Sequence, residues 1–293
     1  MSHMVRWPSP TVWRGDVAIR ALRPLATRLV GRLRPQWVRN RLTPALLDVE
    51  TFRPPTIMAE PPGRRPLVLA PHPDDETIGC GGAICAWRHA GAPVAVAFLA
   101  DGGRGDPELR AMPTGSAAAR ARRAALIATR REEAEAALAL LGVAEAHYLG
   151  GTDGALKAEP SVVRALRRLL ESVRADTVAL PFLTDRHPDH VATTGILLAA
   201  MKDLRQPPQT ILGYEVWAPL PVTDVLDITA YKPTKDAALA CYASQLRTID
   251  YLAATTGLAR YRAVSGLLPG AYAEAFHRLD PARLRELWQR IQL

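Results

Sequence analysis

The 293-residue chain is poor in cysteine, and its three thiols have no pattern. Cys80, Cys85 and Cys241 form no CxxC pair, which argues against a cysteine zinc site and against a disulfide framework. A reducing compartment, the cytoplasm, is the simplest expectation. No apolar run reaches the roughly 18 uncharged residues that a membrane-spanning helix needs. Internal repeats and low-complexity tracts are absent as well. With 48% hydrophobic and 23% charged residues, the chain is ordinary for a soluble globular protein and can bury a full core without staples.

Net charge is missing from most of the chain. Residues 1–65 carry twelve arginines against Asp16, Asp48, Glu50 and Glu60, which accounts for the whole net charge of +8. The remaining 25 basic and 25 acidic residues cancel. The basic character therefore belongs to an N-terminal extension, and nucleic-acid binding by the neutral body is not expected. The opening MSHM reads as a vector-derived start and is set aside. Residues 15–33 space apolar and arginine residues helically, with Trp7, Trp13 and Trp37 in the flanks and Pro24 as a break. Residues 5–41 thus suit peripheral contact with an anionic membrane. The plainer alternative, packing across the body with solvated arginines, is preferred. Residues 53–66 read as an extended proline-rich connector, which puts the main domain at 66–293.

From Pro66 onward, short apolar runs alternate with helical periods. Strands are expected at 66–71, 93–100, 145–150, 177–182 and 209–217. Helices are expected at 79–90, at 117–142, from a Ser161 cap to about Arg174, and from His190 to about Leu204. Residues 219–229 hold an edge strand at most. Residues 232–246 read as one helix and the tail from Asp280 as another. Strands separated by helices pair in parallel through right-handed crossovers. The expected fold is α/β, a Rossmann-like three-layer sandwich with a mostly parallel sheet.

Two stretches place chemistry at strand ends, where such sheets form their sites. The first, LVLAPHPDDETIGCGG (67–82), runs from an apolar strand straight into His72, Asp74, Asp75 and Glu76. The second, LTDRHPDH (183–190), follows the fourth strand. A catalytic zinc takes three protein ligands and leaves a position open. His72, Asp75 and His190 would supply two imidazoles and a carboxylate, a set that also suits ferrous iron. Asp74, next to a ligand, is placed to act as a base. His187, if protonated, would serve an oxyanion or a leaving amine. Asp189 is a candidate to orient a ligating imidazole. Either loop alone could simply cap a helix. Glu76 has no assigned role beyond bracing the following helix.

Together these motifs resemble the PIG-L/LmbE-like zinc-dependent N-deacetylases. The resemblance extends from about Pro66 to about Phe276. It includes ADGGRG (100–105), Arg130 and Glu133 in an Arg-x-x-Glu helix, YLGGTDGAL (148–156) and YASQ (242–245). It implies His72, Asp75 and His190 as zinc ligands, one ion per chain, with Asp74 as general base and His187 as oxyanion partner or acid. It also implies that Arg130 reaches the substrate. On spacing alone, Arg130 reads equally well as part of a solvated helix face. Asp153 would line the pocket, although Asp-Gly is first a turn signal. Gly151 stands where the family often carries a larger residue, which bears on pocket shape.

The implied reaction is removal of an N-acyl group, most simply acetyl, from an amino sugar or related glycoconjugate by zinc-activated water. The substrate would be small or lipid-linked. The rivals are an amidase of thiol-sugar conjugates or other small amides, and a non-catalytic glycan- or membrane-binding protein on the same fold. The intact His and Asp set counts against the last. A homo-oligomer is compatible with everything above.

Overall fold

The computed structural model describes residues 54–202 and 204–291. The basic extension, apart from its last residues, lies outside the described residues, as does the membrane contact expected of residues 5–41. Among the described residues, 54–202 and 204–288 form one compact unit. Among the described residues, no helix is long and apolar enough to cross a membrane.

One eight-stranded sheet carries the site. Its strands are β1 (Thr56–Met58), β2 (Pro66–Ala70), β3 (Ala95–Ala100), β4 (Glu145–Gly151), β5 (Thr177–Pro181), β6 (Thr210–Tyr214), β7 (Asp224–Asp227) and β8 (Ala273–Leu279), in the order β1-β7-β8-β6-β5-β2-β3-β4. All neighbours pair in parallel except β8, which is antiparallel to both β6 and β7. The sheet is mostly parallel, as expected. Strands β2, β3 and β5 are buried along their whole length. This is why they read as unbroken apolar runs rather than alternating ones.

The helices are α1 (Asp75–His89), α2 (Pro107–Ala111), α3 (Ala117–Leu140), α4 (Pro160–Val173), α5 (Pro188–Met201), α6 (Lys232–Ala240), α7 (Ala243–Leu246), α8 (Tyr251–Ser265) and α9 (Pro281–Ile291). Helices α1, α3, α6 and α8 pack on one another in one layer, and α4 packs on α5 in the other. The chain goes from β2 outward to β3 and β4, then returns to β5 beside β2. Strand order therefore reverses between β2 and β5, and the loops leaving these two strands face each other at the crevice this creates.

Several expectations need correction. Residues 56–58 of the supposed connector form β1, which pairs with β7, so β7 is not an edge strand. Helices α1 and α5 start earlier than expected, at Asp75 and Pro188. Proline at the first turn of α5 lacks only an N–H that would be unpaired anyway. Helix α4 likewise begins with Pro160 after Glu159, so Ser161 is inside it and not its cap. The expected helix 232–246 breaks at Cys241 and Tyr242 into α6 and α7. Strand β8 and helix α8 were not foreseen.

Helix α1 is kinked at Cys80, whose φ and ψ are −146° and 25°. A buried pair seals the kink. Glu274 of β8 accepts the N–H groups of Gly82 and Ala83 at 2.7 and 2.8 Å. Lys235 of α6 donates to Glu274 at 2.7 Å and to the Ile78 carbonyl at 2.8 Å. Helix α1 lies so close to the sheet that a β-carbon at Gly79 would fall 2.1 Å from the Tyr214 ring. The glycine-rich stretch after the acidic cluster answers this close approach.

Candidate active site

Asp75 opens α1 and joins the two loops. Its Oδ2 atom lies 3.2 Å from Nδ1 of His72 and 3.2 Å from Nε2 of His190. It also accepts the His72 backbone N–H at 2.9 Å. The outer nitrogen of each imidazole faces a further carboxylate. His72 Nε2 is 3.1 Å from Asp189 and 3.3 Å from Asp153. His190 Nδ1 is 3.2 Å from Asp185. All of these side chains are buried. Asp189 is fixed in turn by the N–H groups of Gly154 and Leu156, at 2.6 and 3.1 Å. Asp185 accepts those of His187 and Trp217, both at 2.9 Å.

His187 stands between the other two histidines, its ring centroid 4.9 Å from that of His72 and 4.8 Å from that of His190. It is the N-cap residue of α5, and its Nδ1 accepts the Asp189 N–H at 3.2 Å. That leaves Nε2 to carry the proton of the neutral ring. Burial, with the neighbouring His72 and His190, lowers the pKa of His187. In the neutral ring, with Nδ1 accepting, the proton is on Nε2.

Asp74 diverges from Asp75 because its backbone is in the left-handed half of φ space, at φ 125° and ψ −30°. Its carboxylate accepts from Nη2 of Arg130 at 3.1 Å. Arg130 also donates to the carbonyls of Pro73 and Gly102 and is buried in full. It is not a solvated residue of the helix face; it holds the loop. Burial pushes the Asp74 carboxyl up to about 7, while the Arg130 charge pulls against it. Asp75 is drawn far below the carboxylate range: His190 and His72 outweigh its burial. Burial opposes it, but Asp153, Asp189 and Asp75 together raise His72.

The donor set fits a metal ion. His190 is wholly buried, yet neither ring nitrogen makes a hydrogen bond of good angle, despite oxygens 3.2 Å away. Partnerless buried nitrogens are costly, and an ion at Nε2 would satisfy one of them. Ligand atoms about 2.0–2.1 Å from one tetrahedral zinc stand roughly 3.4 Å apart. The two Asp75 distances are close to that. Among the described residues, the groups whose ligand atoms all lie within 4.8 Å of one another are His72, His187 and His190, and His72, Asp153 and Asp189; Asp75 is in neither.

Asp185 is the residue that sequence reasoning missed. It sits in the same LTDRHPDH stretch, and its position two residues before His187 was the available signal. Gly151 does not shape a pocket: a β-carbon there would lie 2.6 Å from the Leu99 carbonyl oxygen.

A family model described as PIG-L: GlcNAc-PI de-N-acetylase matches residues 67–201. A probable N-acetyl-alpha-D-glucosaminyl L-malate deacetylase 2 from Bacillus anthracis is 28% identical over 198 residues, covering 63% of this chain and 83% of that protein. The structure of N,N'-diacetylchitobiose deacetylase from Pyrococcus horikoshii superposes with a TM-score of 0.63 at 21% identity, over 85% of this chain and 95% of that one. GalB, a 4-carboxy-2-hydroxymuconate hydratase from Pseudomonas putida KT2440, superposes with a TM-score of 0.61 at 23% identity, over 73% and 95%. These two likenesses speak for the fold alone. The stretch that matches the PIG-L de-N-acetylase family model contains every histidine and aspartate of the site built above.

Proposed function

We infer that the protein is a metal-dependent hydrolase that removes an N-acyl group, most simply acetyl, from an amino sugar or related glycoconjugate. The single observation that carries this reading is the Asp75 oxygen 3.2 Å from both His72 and His190, with Asp74 beside it and turned another way. The Bacillus anthracis relative, named a probable N-acetyl-alpha-D-glucosaminyl L-malate deacetylase 2, supports it. The hydratase on the same fold shows why the reading must stand on residues and not on architecture.

His72, Asp75 and His190 would hold the ion, zinc in the first instance. When bound, the ion supplies Lewis acidity toward the amide carbonyl. Asp189 and Asp185 fix the orientation of the two ligating rings from their outer nitrogens. Asp74 takes a proton from the attacking water. A carboxyl raised to about 7 is matched to base catalysis near neutral pH. His187 offers Nε2–H to the oxygen on which negative charge develops, as a neutral imidazole donor can. The proton held by Asp74 then passes to the departing amine. Arg130 holds Asp74 in place through this cycle.

A deacylation screen tests the reading. N-acetyl amino sugars, free, nucleotide-linked and lipid-linked, are incubated with the zinc-loaded protein, and released amine is measured. Release from at least one class, abolished by chelation and restored by zinc, is expected. Undiminished hydrolysis under chelator, or release from none of these classes, would overturn it.

A further inference from the structure

Glu76 takes no part in the chemistry above, yet it is fully buried beside it. Its carboxylate is surrounded by donors. Oε2 accepts the Asp74 backbone N–H at 3.1 Å. Oε1 accepts the Tyr242 hydroxyl at 2.6 Å and the hydroxyl of Thr77. Tyr242 is completely buried and sits at the break between α6 and α7. Two residues on, Ser244 gives its N–H and its hydroxyl to Glu133 at 2.7 and 2.6 Å. Glu133 is on α3, close to one turn past Arg130. The break after α6 is thus tied to the helix that carries Arg130.

Asp74 is therefore gripped twice: Arg130 holds its carboxylate, and Glu76 holds its N–H. The grip matters because of the backbone. At φ 125° and ψ −30°, Asp74 is outside even the left-handed helical well that aspartate tolerates. A non-glycine residue persists in such a conformation only where its surroundings over-determine it. Relaxation of this turn would swing Asp74 away from Arg130 and toward the face its neighbour Asp75 occupies.

We propose that Glu76, oriented by the Tyr242 hydroxyl, is a positioning residue for Asp74, keeping the base in its strained turn while Asp75 faces the two histidines. The role of Asp74 as base rests on the deacetylase reading; the restraint on its backbone does not.

Tyr242→Phe removes only the hydroxyl. Expected is a loss in kcat of about tenfold or more, as small misplacements of reacting groups produce, with KM and bound zinc unchanged. In an Asp74→Ala background the same substitution should have no further effect. Glu76→Gln still accepts from the Asp74 N–H and offers its own N–H to Tyr242, so it should retain more activity than Glu76→Ala. A crystal structure of metal-free Glu76→Ala should show Asp74 out of its positive-φ turn and off Arg130. Equal losses from Tyr242→Phe in both backgrounds, or an unmoved Asp74 in Glu76→Ala, would overturn the proposal. A wild-type protein that hydrolyses no amide would end the deacetylase reading, and the crystal structure would still decide the restraint.

Discussion

Oδ2 of Asp75 stands 3.2 Å from Nε2 of His190, and that one contact joins the loop leaving β2 to the helix that follows β5. The contact exists because β2 and β5 are hydrogen-bonded neighbours at the point where strand order reverses. Asp75→Asn keeps the size of the side chain and removes its charge. Bound metal in the purified variant should fall well below one per chain, read by elemental analysis. Full occupancy would show that Asp75 is not a ligand.

Asp185 acts one step further out, against His190 Nδ1. Partners of ligating imidazoles typically contribute 10–100-fold in metal affinity or activity. Asp185→Ala should therefore weaken zinc binding by about that factor in a competition titration with a chromogenic chelator. Unchanged affinity would leave Asp185 a loop brace for the His187 and Trp217 N–H groups and nothing more.

The Arg130 charge bears on the pH dependence expected of Asp74. Burial raises the Asp74 carboxyl to about 7, and the guanidinium 3.1 Å away limits that rise. A base loses activity as pH falls through its pKa. Removing the cation raises that pKa, so the acidic limb of kcat/KM in Arg130→Gln should move to higher pH. A limb that stays in place or moves lower would separate Asp74 from the base role.

The buried pair Lys235–Glu274 concerns stability, not chemistry. Lys235→Met leaves the Glu274 carboxylate buried without its cation, although the Gly82 and Ala83 N–H groups remain. Removing one partner of a buried pair costs about 3–5 kcal/mol. Denaturant unfolding should show a loss of that order. A loss below about 1 kcal/mol, the range of exposed pairs, would mean that solvent reaches the pair.

The parts of this fold that sequence reveals are those in which one segment carries its own signal. β2, β3 and β5 are apolar runs because both their faces are covered, and the charged tips of β2 and β5 mark the site directly. Strand β8 is different: AEAFHRL mixes Glu274 and His277 among apolar residues, and its burial depends on Lys235 and on contacts across the sheet. The candidate ligands His72, Asp75 and His190 are legible for the same reason as the strands, since each motif is contiguous. The job of Glu76 is not, because its partner Tyr242 lies 166 residues away. Arg130 looked like one more charge on an arginine-rich helix until the fold turned it inward onto Asp74.

The most direct measurement concerns Asp74 alone. Asp74→Ala protein is purified, its zinc content determined, and its turnover of whichever N-acetyl amino sugar the wild type hydrolyses compared under the same conditions. The account predicts zinc at the wild-type level and turnover reduced by about 10²–10⁴-fold, the usual contribution of a positioned acid or base. Turnover near that of the wild type, with zinc in place, would contradict it.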